Sequence, residues 1–230
     1  VQTCALPILE ALGKDMKKDD FVSITQKSIS TNEDTFGLGI WFEPYKYDKA
    51  LKYFSPYAFK ENEKPKYSDK YITSKYEYTK EEWYTLGANT DETVVWSSAY
   101  VDTVTNVAMV TATAPFYDEK NNFIGVTTAD MDLAHIQKNI SEIKVGNSGK
   151  ALLLDGDGTY LAGDSNEKIM KVKITEDSNK DIAELGQKII KDKHGNASYK
   201  DANDKKQVYY ETVPETNWIV ALVIDRKSVV

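Results

Sequence analysis

Apolar positions along the chain change period several times, and each change marks an expected element. Over residues 9–34, Leu9, Leu12, Met16, Phe21 and Ile24 recur at near-helical spacing, which predicts a long N-terminal helix or two in series. The mixed-sign charges from Lys14 to Asp20 fit its solvated face. The run FGLGIWF, residues 36–42, is apolar with two glycines and is stopped by Glu43-Pro44, which reads as a buried strand and a turn. A tyrosine-rich, charged stretch follows to Tyr78. Its prolines at 44, 56 and 65 predict irregular structure laid over a surface. TKEEWYTLG, residues 79–87, fits a short helix with Thr79 as N-cap and Glu82 completing a capping box.

The pattern then turns to alternation. Residues 94–99, 107–116 and 123–130 are rich in Val and Thr, and DEKNN at 118–122 joins the last two as an antiparallel hairpin. Residues 133–143 return to helical spacing and end at the glycines 146 and 149. ALLLD and TYLA, either side of Gly156-Asp157-Gly158, form a second hairpin. A helix over 181–191 and strands at 197–199, 207–213 and 218–224 complete the chain. Strand pair, helix and three-stranded meander is the order of a PAS-like module, and the first half has a comparable order. The expected fold is therefore α/β (α+β): the helix at 9–34, then two PAS-like modules at 35–145 and 146–224, each a central antiparallel sheet with flanking helices.

Composition narrows the function. With 41% hydrophobic and 28% charged residues, the 230-residue chain has the makings of a folded core. The net charge of -7 argues against a nucleic-acid partner, because a phosphate-binding face needs surplus Lys and Arg. An acidic surface suits cationic solutes instead. No apolar run reaches the length of a membrane span. Residues 1–8 (VQTCALPI) and 225–230 (DRKSVV) read like translated sequencing-adapter DNA, so the chain is expected to be cut from a longer gene, with Cys4 foreign to the native segment and flanking membrane anchors outside it.

Four stretches, GIWFEPYKYD at 39–48, EEWYTLG at 81–87, Tyr100 through APFYDEKNNFIGVTTADMDL to Leu133, and ALLLDGDGTYLA at 151–162, together resemble the double Cache sensor domains of bacterial methyl-accepting chemotaxis proteins and sensor histidine kinases. The resemblance implies a membrane-distal module that binds a small molecule, a membrane-proximal module that binds nothing, an extracytoplasmic location, no cofactor, and a receptor able to form homodimers. Amino-acid-binding members share Tyr, four residues, Arg, one residue, Trp-Tyr, then Tyr-x-Asp, then an Asp closing the last strand of the distal module. The matching positions are Tyr76, Glu81, Trp83, Tyr84, Tyr100, Asp102 and Asp130. The departure is Glu81, where the family's arginine would grip the ligand carboxylate through a two-pronged guanidinium. The chain's one arginine is Arg226, in the suspected foreign tail.

Three carboxylates beside Tyr76, Trp83, Tyr84 and Tyr100 would form an acidic aromatic box, which points to an amine or other cationic ligand, with an amino acid or amino-acid-like molecule as the alternative small-molecule partner. Plainer readings stand beside it: Trp83 and Tyr84 as core packing, Asp130 as a helix cap, Glu81 facing solvent. Catalysis has little foothold. His135 and His194 sit in no catalytic motif, and Asp155-Gly156-Asp157-Gly158 lacks the later ligands and terminal glutamate of a calcium loop, so neither an enzyme nor a metal site is expected. From another class, a secreted or surface-anchored solute-binding or adhesive protein would use the tyrosine-rich face at 41–84 for contact.

Overall fold

The computed structural model describes residues 16–225 apart from 32, 74–75, 147 and 202–203. Leu9 and Leu12 of the expected N-terminal helix, and the suspected tails apart from Asp225, lie outside the described residues. Helix α1 spans Lys18–Ser30 and buries Phe21, Thr25 and Ile29, one residue per turn along a single stripe. Asp20 Oδ2 accepts the Lys17 backbone N–H at 2.8 Å and so closes the helix start.

The first compact unit ends at Asp132. Its antiparallel sheet runs in the order β3 (Lys64–Ser68), β2 (Tyr57–Glu61), β1 (Gly37–Phe42), β7 (Phe123–Asp132), β6 (Ala108–Tyr117), β4 (Val95–Trp96), and β5 (Tyr100–Val101) also pairs with β6. Every residue of β1 is buried. Strand alternation explains how: Leu38, Ile40 and Phe42 pack with Phe21, Phe54 and Phe116, while Trp41 packs on the other face with Tyr57, Trp83 and Tyr84. Phe21 meets Phe42, Tyr47 and Phe54 edge-on at 5.6, 5.7 and 5.5 Å between ring centroids, the arrangement that aromatic quadrupoles favour.

The stretch at 45–78 is more regular than its prolines suggest. It contains the hairpin β2–β3, turned by Asn62 and Glu63 at φ 51° and 61°. Such a turn matches the twist of the strands it joins. Pro65 is tolerated because β3 is an edge strand, where a missing N–H breaks no second ladder. The short helix also starts later than the capping pattern indicates: a 3-10 turn covers Tyr78–Lys80, and α2 spans Glu82–Ala88 with Glu81, not Thr79, at the N-cap. Helix α2 lies tight on the sheet through Gly87, where an added Cβ would fall 2.3 Å from Thr113 Cγ2.

The second unit begins at Leu133. Helix α3 (Leu133–Ser141) therefore groups with it, whereas the spacing of elements along the chain assigns that helix to a first module ending at 145. The five-stranded sheet runs β10 (Gly195–Asp201), β11 (Asp204–Val213), β12 (Trp218–Asp225), β8 (Lys150–Leu154), β9 (Tyr160–Ala162), all antiparallel. Helix α4 (Lys180–Asp192) is capped by Asn179, whose side chain accepts the Asp181 N–H at 3.0 Å, and it closes on Lys193 in the left-handed region at φ 64°. A partly buried pair, Lys168 Nζ to Asp177 Oδ2 at 2.7 Å, with the Tyr160 hydroxyl donating to the same oxygen at 2.9 Å, ties the β9–α4 connection down. The two antiparallel sheets and the N-terminal helix make up the mixed α+β fold of two PAS-like modules.

Replacing Phe21 by Ala should destabilise the first unit by about 3–5 kcal/mol, the usual cost of emptying a phenylalanine site in a packed core. Urea unfolding reads this as a lower midpoint at unchanged slope; a loss below about 1 kcal/mol would mean that α1 does not rest on this ring.

Candidate functional site

The odd-numbered face of β1 builds a hollow. Gly37 and Gly39 carry no side chain there, and their neighbours move into the room this leaves. A Cβ on Gly37 would fall 2.0 Å from Tyr57 Oη and 2.6 Å from Asp130 Oδ2, and one on Gly39 would fall 2.3 Å from Trp41 Nε1. The register sets Gly37 opposite Asp130 and Asp130 opposite Thr111, so three strands place one carboxylate beside one bare backbone position. The result is a hollow lined by Trp41, Tyr57, Tyr71, Tyr76, Trp83, Tyr100, Asp102, Met109, Thr128 and Asp130, enclosing about 10 Å³.

Five residues that the family pattern singles out, Tyr76, Trp83, Tyr100, Asp102 and Asp130, share this lining. Tyr84 does not: its hydroxyl donates to Glu43 Oε2 at 2.6 Å and its ring packs 5.5 Å from Tyr78. Glu81 is half-buried at the N-cap of α2 and also lies outside the lining, close enough for its charge to act on Tyr76. Trp41, Tyr57 and Tyr71 complete the ring of aromatics without belonging to that pattern. Trp41 is fixed by its indole N–H, which donates to Thr128 Oγ1 at 2.8 Å, and it lies 4.6 Å from Trp83. Trp83 is thus both a core residue and a wall of the hollow. A signal for Trp41 and Tyr57 was available: the Gly-x-Gly spacing at 37 and 39, within a run buried on both faces, marks a close approach on one of them.

Asp130 is 4% exposed and lies within β7, three residues before α3 begins. Tyr57 donates to its Oδ2 at 2.7 Å and Thr111 to its Oδ1 at 2.8 Å, while the Tyr100 hydroxyl and Thr111 Oγ1 lie 2.8 Å apart. Asp102 Oδ2 accepts from Tyr71 Oη at 2.8 Å and, in a tight turn, from the Thr105 N–H at 2.6 Å and Oγ1 at 2.7 Å. No lysine or arginine lines the hollow among the described residues. Burial, and less strongly the charge of Asp102, push the Asp130 carboxyl up from an ordinary 3.8 to about 6, against the opposing hydrogen bonds from Tyr57 and Thr111. Burial and then Asp102 also raise Glu81. Burial foremost raises Tyr57, Tyr71, Tyr76 and Tyr100, with the nearby carboxylates adding to it, so all four stay protonated donors. The arrangement can hold a positive charge against two acids and several ring faces.

Elsewhere, His135 and His194 are exposed, and Asp155 closes its own turn by accepting the Asp157 and Thr159 N–H groups at 3.0 and 2.8 Å. Among the described residues no group of three or more His, Cys, Asp or Glu is placed to hold a metal ion. No described helix is long and apolar enough to cross a membrane.

The family model described as methyl-accepting chemotaxis protein-like, first PDC sensor domain, matches residues 21–138, and that of the Cache 3/Cache 2 fusion domain matches residues 92–229. The chain belongs to this family of chemoreceptor sensor domains. The methyl-accepting chemotaxis protein McpC of Bacillus subtilis (strain 168) is 34% identical over 150 residues, 65% of this chain and 21% of that protein, so the chain spans about a fifth of McpC. In fold it is similar to the extracellular domain of mmHK1S-Z3, with TM-score 0.82 and 18% identity over 99% of this chain and 85% of that one. It is also similar to the ligand-binding domain of the Campylobacter jejuni chemoreceptor Tlp3 in complex with L-valine, with TM-score 0.67 and 14% identity over 98% and 82% of the two chains.

Because the native state of Asp130 holds its proton to a higher pH than the unfolded chain, this group takes stability away as pH rises from 3.8 to about 6. The loss is on the order of 3 kcal/mol. Carbon-13 NMR of the Asp130 carboxyl should titrate near 6, and Asp130→Asn should flatten the fall in stability over that window. A carboxyl titrating near 4 would refute the burial account.

Proposed function

We propose that the chain is the extracytoplasmic ligand-binding part of a membrane-anchored chemoreceptor, and that the hollow of its first unit takes a small protonated amine. The ammonium would sit against Asp130 and Asp102, with Trp83, Tyr76 and Tyr100 presenting ring faces worth roughly 0.5–2 kcal/mol each. The observation that carries this reading is the pairing of two buried carboxylates with a ring-lined hollow in which no described cation answers them. Tlp3, a relative in fold, is known with the zwitterion L-valine. An α-carboxylate needs a cationic grip, and where amino-acid-binding members have arginine this chain has Glu81, a half-buried acid. The sign of the site is therefore reversed at that end.

Ligand binding would act by preference between two arrangements of the receptor, and its signal is bounded by that preference. Strand β1 supports a route for it, since one face walls the hollow and the other rests on Phe21 of α1. The second unit would serve as the membrane-proximal spacer.

Calorimetric titration at neutral pH against propylamine, ethanolamine and 1,4-diaminobutane, beside L-valine and L-asparagine, tests the reading. Amines should bind at micromolar concentration while the zwitterions stay inert into the millimolar range. Asp130→Asn should weaken amine binding by a hundredfold or more, about 3 kcal/mol, as expected when one partner of a buried charge pair is removed. Trp83→Ala should cost about tenfold. Tight binding of L-valine with inert amines would overturn the assignment.

A further inference from the structure

The hollow is nearly filled by the protein itself. Its 10 Å³ is about the smallest space that admits a single water, so even the smallest alkylamine needs a side chain to leave. Tyr71 stands at the centre of the lining, its ring 5.4 Å from that of Trp41, 4.8 Å from Tyr57 and 5.1 Å from Tyr76, and only 2% of it is exposed. Its hydroxyl donates to Asp102 Oδ2 at 2.8 Å, the kind of hydrogen bond that a ligand N–H would make there. Tyr57 makes the equivalent bond to Asp130, but it is held in β2 between Gly39 of β1 and Ser68 of β3, so moving it would open the sheet. Tyr71 has no such tether. It lies on the connection between β3 and the 3-10 turn, outside every helix and strand, in a turn closed by the Ile72 N–H to the Asp69 carbonyl at 3.0 Å.

Taking the amine reading of the site as its premise, we infer that Tyr71 is a built-in competitor for the ligand's place and the residue that decides which amines bind. Its ring fills the room that an alkyl group needs, and its hydroxyl supplies the hydrogen bond that an ammonium would give. An amine must replace both. Small amines whose head group recovers the bond to Asp102 and whose alkyl group fits the room left by the ring succeed, whereas a bulkier alkyl group is shut out. The measured affinity is then the intrinsic affinity reduced by the fraction of molecules in which Tyr71 has withdrawn.

The test compares the wild-type chain with Tyr71→Phe and Tyr71→Ala, using propylamine and cyclohexylamine as titrants and circular dichroism to verify folding. Tyr71→Phe keeps the ring and loses only the competing bond to a charged group, and it should bind propylamine about tenfold more tightly. Tyr71→Ala should also admit cyclohexylamine, which the wild type rejects. Millimolar phenol, which replaces the lost ring, should bind Tyr71→Ala and reduce its amine affinity back towards the wild-type value. Weaker propylamine binding by Tyr71→Phe would show Tyr71 to be a supporting wall and would overturn the inference while leaving the amine site intact. Absence of amine binding by all three proteins, with L-valine bound by the wild type, would overturn the reading of the site and the inference with it.

Discussion

Strand β1 has no solvent face, and the layout of the first unit follows from that constraint. One set of alternating side chains, Leu38, Ile40 and Phe42, anchors α1 through Phe21. The other set is two glycines and Trp41, so on that side the strand is bare at residues 37 and 39. Tyr57, Asp130 and the Trp41 indole move into the cleared space, and the acidic, ring-lined hollow is the outcome. Adding even one methyl group at Gly37 would collide with the Tyr57–Asp130 hydrogen bond. The same strand therefore walls the hollow proposed for the ligand and holds the helix that would carry the signal away.

Burying Asp130 is unfavourable, and the fold offsets only part of the cost through donors from Tyr57 and Thr111. A site that keeps an acid partly uncompensated would gain most when a cation arrives, so the proposed amine binding would be coupled to stability. The second unit shows the contrasting solution: Asp177, also buried, is paired with Lys168 and its carboxyl is lowered despite the burial, chiefly by that lysine's hydrogen bond. One carboxylate is paired with a lysine of its own chain, whereas no described cation pairs with the other.

Much of the fold was legible in the residues. The Val/Thr-rich strands, the DEKNN turn and the amphipathic helix after residue 180 lie where period and turn chemistry put them, because these are local signals. The hairpin at 57–68 was hidden by Pro65, whose meaning depends on whether a strand is at an edge, a fact of topology. Asp102 and Asp130 could be matched to a family pattern, and Trp83 with them. The roles of Tyr57 and Tyr71 could not, since both come from a stretch whose composition suggests surface structure and whose rings reach the hollow through long-range packing. Tyr84 illustrates the converse: adjacent to Trp83 in sequence, it turns towards Glu43 because neighbours on a helix point about a hundred degrees apart.

The central claim is that the negative charge on Asp130 draws the ligand in, and the pH dependence of amine affinity tests it most directly. Propylamine stays protonated throughout the range from pH 5 to 8, so any change reports the protein. The dissociation constant should be constant above about pH 7 and rise roughly tenfold by pH 5, with the midpoint near the value of about 6 set by burial. A dissociation constant unchanged from pH 8 to 5 would contradict the account.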